Sequence, residues 1–247
     1  MLPGYPRAVL SDAVETLGRP TAGCILYTCE HASNRVPRTW RPTLDDRALL
    51  RAHWGYDLGA AWVTRRLARS GPDVAVLSRA SRLLVDVNRA PDDPTAFLAR
   101  THDGEVSFNA RLDLAERRRR LARFHEPYHQ TVAAMVRIGR PRLLFSVHSF
   151  TAVWRGSPRE VEAGVLFDRH DEHAAALVSA LGAAGLRTAP NEPYSGKEGL
   201  IYSAARHGRE GNLPYLELEL RQDLLSSRPR AEAVADRVLA ALRQCGW

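Results

Sequence analysis

The sequence predicts an α/β sandwich on a largely parallel sheet, and two observations carry the prediction. Short runs rich in Val, Leu and Ile, at 23–30, 73–79, 82–88, 142–149, 163–168 and 213–220, read as strands. Segments of helical periodicity, at 44–51, 57–69, 109–138, 171–184 and 229–244, alternate with them. The strand runs are almost continuously apolar, as a sheet covered on both faces requires. With 247 residues and 45% hydrophobic content the chain can bury one large core, and 1–247 is read as a single domain. No internal repeat or low-complexity tract divides it.

Taken in order, the first strand ends at Glu30-His31, and a polar turn closed by Pro37 follows. Cys24 and Cys29 lie five apart on it, so they face opposite sides. Asp57 stands at the head of helix 57–69, where it can cap. In 82–88, a period of two puts Arg82, Asp86 and Asn88 on one face and Leu83, Val85 and Val87 on the other. The long helix carries Leu121, Phe124, Tyr128, Val132 and Met135 as one apolar stripe, and Pro127 should interrupt and kink it. Asp168 or Asp171 can cap helix 171–184, which stops near Gly182–Gly185. Arg228-Pro229 suits the entry of the last helix.

The net charge is +7, and Lys197 is the only lysine. The densest basic run, Arg117–Arg120, falls inside a helix pattern without interleaved aromatics. It reads as a solvated helix face rather than a base-stacking surface. No apolar run is long enough to span a membrane, and the first residues lack a signal pattern. Three cysteines without a Cys-x-x-Cys spacing point to a reducing compartment, and the expected location is cytoplasmic.

Three groups of residues suggest chemistry. His31 and His148 each stand at the end of a buried strand, where a pair of neutral imidazoles can hold a divalent metal, zinc above all. A third ligand could be Glu30, His53 or Asp57; a regular strand would turn Glu30 away from His31. Arg82, Asn88 and Arg89, with Asp86, are costly to bury unless paired. They form either a pocket for a substrate carboxylate or an internal Asp–Arg fastening. Glu217, Glu219 and Arg221 share a strand face; Glu219 is placed to act as general base, or to form a surface ladder with Arg221. His125, His129, the 191–196 turn and Arg206-His207 are weaker candidates. Ser149 lacks a nucleophile-elbow motif.

Together these segments resemble the N-formylglutamate amidohydrolase family. The matching pieces are Cys-Glu-His-Ala-Ser-Asn-Arg-Val-Pro, Tyr-Asp-Leu-Gly-Ala, Ser-Arg-Leu-Leu-Val-Asp-Val-Asn-Arg, Pro-Tyr-His, Val-His-Ser-Phe-Thr, Asn-Glu-Pro-Tyr-Ser and Glu-Leu-Arg-Gln-Asp-Leu, in order from 29 to 224. The resemblance implies a three-layer, phosphorylase/hydrolase-like fold with a mostly parallel or mixed sheet, distantly similar to zinc carboxypeptidases and aspartoacylases. It implies hydrolysis of an N-formyl or short N-acyl amide of an acidic amino acid, with Zn2+ or another divalent metal. His31 and His148 match the metal histidines, Asn88-Arg89 a carboxylate-binding pair, and Glu219 the base. Those relatives carry a zinc-binding Glu three residues after the first His, where this chain has Asn34. The expected middle ligand is then Asp57 ahead of Glu30. Arg82, Asn88 and Arg89 are expected to grip the substrate carboxylates, with Arg221 assisting. A peptidase or amidase of other specificity is the alternative; a basic polyanion-binding module has no use for the clustered His, Asp and Glu. Neither nucleic acid nor membrane is an expected partner.

Overall fold

The computed structural model describes residues 8–247. An eight-stranded sheet runs through it: β1 (Ala8–Leu10), β2 (Val14–Leu17), β3 (Ile25–Cys29), β4 (Val74–Ser78), β5 (Leu143–Phe150), β6 (Ala163–Leu166), β7 (Thr188–Pro190) and β8 (Tyr215–Arg221). Their spatial order is β1-β2-β4-β3-β5-β8-β6-β7. The central strands β4, β3, β5 and β8 are mutually parallel, whereas β2 joins β4, and β6 joins β8, antiparallel. The sheet is therefore mixed, with the predicted parallel part at its centre.

The helices are α1 (Leu44–Arg51), α2 (Ala60–Arg69), α3 (Leu114–Arg120), α4 (Glu126–Gly139), α5 (Asp171–Ala183), α6 (Tyr202–Gly211) and α7 (Arg228–Gln244). Strand alternation distributes the core between two faces. Ile25, Tyr27, Cys29, Phe145, Val147, Leu216 and Leu218 pack against α2, α5 and α7. Cys24, Leu26, Leu144 and Tyr215 pack against α4 and α6. The result is the expected three-layer sandwich, with Cys24 and Cys29 on opposite faces.

Three expectations need correction, and one holds in a specific form. Residues 82–88 form turns, not a strand. Their backbone is satisfied locally: Leu84 N–H donates to Ser81 O, Asn88 N–H to the Asp86 carboxylate, and Asp86 N–H to Ala96 O. Side-chain acceptors of this type compete with a ladder. The expected interruption at Pro127 is present: a π turn at Leu121–His125 separates α3 from α4, and Pro127 occupies the first turn of α4. Neither Asp168 nor Asp171 caps α5 through its side chain; Asp168 accepts from the Tyr215 hydroxyl at 2.7 Å, and Asp171 lies in the first turn. In the Arg117–Arg120 run, Arg118 and Arg119 are exposed as expected, but Arg120 is 1% exposed. It donates to Glu116, Asn109 Oδ1 and the carbonyls of Leu84 and Phe108, and so fastens the 82–89 turns to the helix.

The topology decides where a site can form. From β3 the chain crosses through α2 to β4 on one side, then through α3 and α4 to β5 on the other. The carboxyl ends of β3 and β5 thus flank a point where the connections diverge, the usual crevice of open α/β sheets. His31 follows β3, and His148 lies near the end of β5.

Candidate metal centre

His31, Asp57 and His148, all buried, converge at this crevice. Asp57 Oδ2 lies 2.8 Å from His148 Nδ1 and 3.4 Å from His31 Nδ1. The two imidazole rings stand edge to face with centroids 4.8 Å apart. Asp57 does not cap α2: the N-cap is Gly59, whose φ of +82° lets the chain turn sharply into the helix. That turn leaves the Asp57 side chain free for the histidines.

The far nitrogen of each ring meets a carboxylate. His31 Nε2 is 2.8 Å from Asp86 Oδ1, and His148 Nε2 is 3.1 Å from Glu30 Oε2. Such partners fix a ligating histidine's tautomer, with Nε2–H on the carboxylate and the Nδ1 lone pair facing inward. Both inward lone pairs then point at Asp57 Oδ2. Acceptors in that arrangement repel unless a cation stands between them, either an extra proton or a metal ion. The donor set, two imidazoles and a carboxylate, suits a divalent ion of the zinc type. Glu30, the other candidate for middle ligand, is held from below: the Tyr128 hydroxyl of α4 donates to it at 2.9 Å and the Ser146 hydroxyl at 2.6 Å.

The electrostatics follow from this crowding. Burial raises the Asp57 and Asp86 carboxyls, but the nearby histidines, with Arg82 beside Asp86, more than offset it and hold both well below the usual range. Glu30 is likewise held low, its burial outweighed by His148 and Ser146. Burial opposes a charged His148, yet the surrounding carboxylates Glu217, Asp57 and Glu30 push it well above an ordinary histidine. Glu217 and Glu219 go the other way. Burial pushes Glu217 up to about 7 and Glu219 well above the usual range.

Glu219 sits directly across the parallel β5–β8 pair from His148. Its Oε2 is buried and has no hydrogen-bond partner among the described residues. An unpartnered carboxylate oxygen beside three converging ligands is the position a water or substrate group would complete. Glu217, two residues earlier on the same face, lies 3.5 Å from both His148 Nε2 and the Asn88 amide.

One cavity of about 230 Å³ contains the cluster and is also lined by Arg82, Asn88, Arg89, Glu217 and Glu219. Arg82 reaches Asp86 Oδ2 at 3.1 Å and Asp57 Oδ1 at 3.5 Å, so both readings of the 82–89 segment hold in part: it is an internal fastening that also faces the cavity. The Asn88 amide is engaged with Leu200 O, and its oxygen accepts from Ser203 N–H at the start of α6. Arg89 spends one nitrogen, Nη1, on the carbonyls of Asn88 and Leu200. Arg221 does not line the cavity. Its guanidinium binds Asp223, Glu162 and the carbonyls of Arg159 and Glu160, because β8 has left the crevice by that residue.

The remaining histidines divide. His53 and Trp54 line the cavity. His125 and His129 face the outer side of the 87–89 backbone, contacting Arg89 O and Val87 O, and His207 pairs with His129. Arg206 turns to Glu210. Of the 191–196 turn, Tyr194 reaches the cavity. Sequence reasoning passed over Glu30 and Asp86 as partners of the histidines, although each is a charged residue in an apolar run. It also passed over Trp154, which no local pattern distinguishes from loop packing, whereas Tyr194 belongs to the 191–196 turn already counted among the weaker candidates.

A family model for N-formylglutamate amidohydrolase matches residues 23–226, a span that includes every residue of the cluster. The chain belongs to that family. Among solved structures, a gene product of Agrobacterium tumefaciens is 29% identical and superposes with a TM-score of 0.86, covering 96% of both chains. N-formylglutamate amidohydrolase from Ralstonia eutropha is 17% identical with a TM-score of 0.73, over 96% of this chain and 98% of that one, and shares the fold. A search of curated proteins gives no match. This family member is accordingly an amidohydrolase. No helix among its described residues is long and apolar enough to cross a membrane.

Proposed function

We propose that the protein is a zinc-dependent amidohydrolase of N-formyl or short N-acyl acidic amino acids, converting N-formylglutamate and water to formate and glutamate. The observation that carries this reading is one cavity holding the His31, Asp57 and His148 donors together with the unpartnered Glu219 oxygen and the basic Arg82 and Arg89.

The roles follow from position. His31 Nδ1, Asp57 Oδ2 and His148 Nδ1 would hold the ion, with Asp86 and Glu30 keeping both rings oriented. A divalent ion there supplies Lewis-acid chemistry, polarising the amide carbonyl and acidifying a water. Glu219 accepts the proton of the attacking water and delivers it to the departing nitrogen. A carboxyl raised by burial suits both halves of that task. Arg89 offers Nε and Nη2 to a substrate carboxylate; among the described residues these atoms have no assigned acceptor. Arg82 adds positive charge, and Asn88 anchors the segment and presents its amide beside Glu217. Arg221 acts at most indirectly, by holding the 159–162 segment. The three free thiols support a cytoplasmic setting for the same proposal.

The test is elemental analysis joined to a formate-release assay. About one equivalent of zinc is expected, lost together with turnover in His31→Ala and His148→Ala. Formate release at the wild-type rate by His148→Ala would refute the assignment.

A further inference from the structure

The proposed reaction leaves one wall of the cavity without a task. His53, Trp54 and Trp154 line it. Their ring centroids lie 4.4 Å apart for His53–Trp54, 6.0 Å for His53–Trp154 and 6.2 Å for Trp54–Trp154. A formyl group presents a single C–H to such a surface, which leaves most of its aromatic area unused.

The wall is braced. The Trp54 indole N–H donates to Asp103 Oδ2 at 2.6 Å. The guanidinium carbons of Arg159 and Arg155 lie 5.4 Å and 5.7 Å from the Trp154 ring centre. Arg159 also lies over Tyr194 and donates to its hydroxyl, which ties the small hairpin of Val153–Trp154 and Ser157–Pro158 to the 191–196 turn. Aromatic faces held this way lose little freedom when a planar group stacks on them.

The second observation is polar. His53 Nε2 is buried and has no hydrogen-bond partner among the described residues. The ring is outside the group of converging metal donors. A buried polar atom beside a cavity is satisfied when a ligand brings the missing partner.

Resting on the amidohydrolase reading of this site and extending it beyond formyl and short acyl groups, we propose that the site also takes amides whose acyl group is aromatic and polar-substituted, stacking on Trp54 and Trp154 and hydrogen-bonding His53 Nε2. Such a further substrate is an N-aroyl acidic amino acid. Water oxygen joins the aroyl carbon as the C–N bond breaks, one proton passes to nitrogen, and the products are an arenecarboxylic acid and the free amino acid.

Three probes test this with the metal-loaded enzyme: N-formyl-, N-benzoyl- and N-(4-aminobenzoyl)-L-glutamate. The benzoyl compound should exceed the formyl compound in kcat/KM by about tenfold or more, consistent with the worth of an aromatic stack. Trp154→Ala, and Trp54→Leu as a second variant, should erase that ratio. Trp62→Ala, an exposed tryptophan of α2 outside the cavity, should keep it. His53→Ala should cost the aminobenzoyl compound more than the benzoyl one. A preference for the formyl compound, or equal losses on all three in the tryptophan variants, overturns the aromatic subsite and leaves the hydrolase reading intact. If no amide is cleaved the hydrolase reading fails, and calorimetric binding of N-benzoyl-L-glutamate then decides the subsite. Binding about tenfold weaker in Trp154→Ala supports it; equal binding, or none to the wild type, overturns it.

Discussion

Asp86→Asn isolates what the carboxylate behind His31 contributes. Asp86 Oδ1 is 2.8 Å from His31 Nε2 and accepts from Asn88 N–H at 2.8 Å, while Oδ2 is 3.1 Å from Arg82 Nη2. Asparagine keeps the size and one acceptor oxygen but loses the charge, and it turns an amide NH2 toward the Arg82 donors. A hydrogen bond to a charged group contributes roughly 1.5–3 kcal/mol against about 0.5–1.5 for a neutral one. Losing that difference at His31, together with the clash at Arg82, should weaken zinc binding by about 1.4–2.7 kcal/mol, that is, roughly 10- to 100-fold. Competition with a chromophoric chelator measures the affinity, and denaturant unfolding reports the fold. The sign of the pH dependence is also determined. A carboxyl held below its unfolded value contributes stability above the ordinary carboxylate range and loses it as pH falls. The metal-free variant should therefore show a flatter acid limb than the wild type. Zinc affinity within about twofold of the wild type in a natively folded variant would refute the reasoning, since the partner of a ligating histidine is expected to matter by about tenfold at least.

Glu219→Gln should retain zinc and lose about 10²- to 10⁴-fold in kcat, as read by formate release beside elemental analysis. Glu217, raised to about 7, works against the folded state of metal-free protein as pH rises from about 4.5 to 7, because the unfolded chain ionises first. Glu217→Gln should remove up to about 3 kcal/mol of that decline, measured by urea unfolding across the range. Gly59→Ala should destabilise by about 1–3 kcal/mol: φ is +82°, and a Cβ would sit 2.3 Å from Leu225 Cβ. The same strain should displace Asp57 and lower zinc affinity.

The core strands and most helices were legible because their hydrophobic periods are long and unbroken. α1 spans 44–51 as predicted, and β5 differs from its predicted bounds by one residue at each end. Segments misread were those in which side chains replace the ladder. The 82–88 run alternates like a strand, yet Ser81 and Asp86 take up its N–H groups in turns. The short β2, with Glu15 inside it, and β7, ending in Pro190, are too short and polar to stand out. At the site, the two histidines and Glu219 were visible as polar residues ending apolar runs. Asp57 was among the expected third ligands and does join the histidines, but what brings it there, the left-handed turn at Gly59 and the packing of α2, left no sequence signal. Arg221 shares a strand face with Glu219, but face alone does not say how far along the strand the cavity extends.

The pairing of Glu219 with His148 on adjacent parallel strands sets their separation by the sheet itself. Neighbouring strands stand about 4.8 Å apart whatever the loops above them do. A slip of one rung would bring Leu218 or Leu220 beside the imidazole, so this spacing is either correct or lost with the fold. Insertions and exchanges in 151–162 or 191–200 can therefore reshape which amides enter without moving the reactive pair. Selectivity in such an enzyme can drift quickly while its reaction stays fixed.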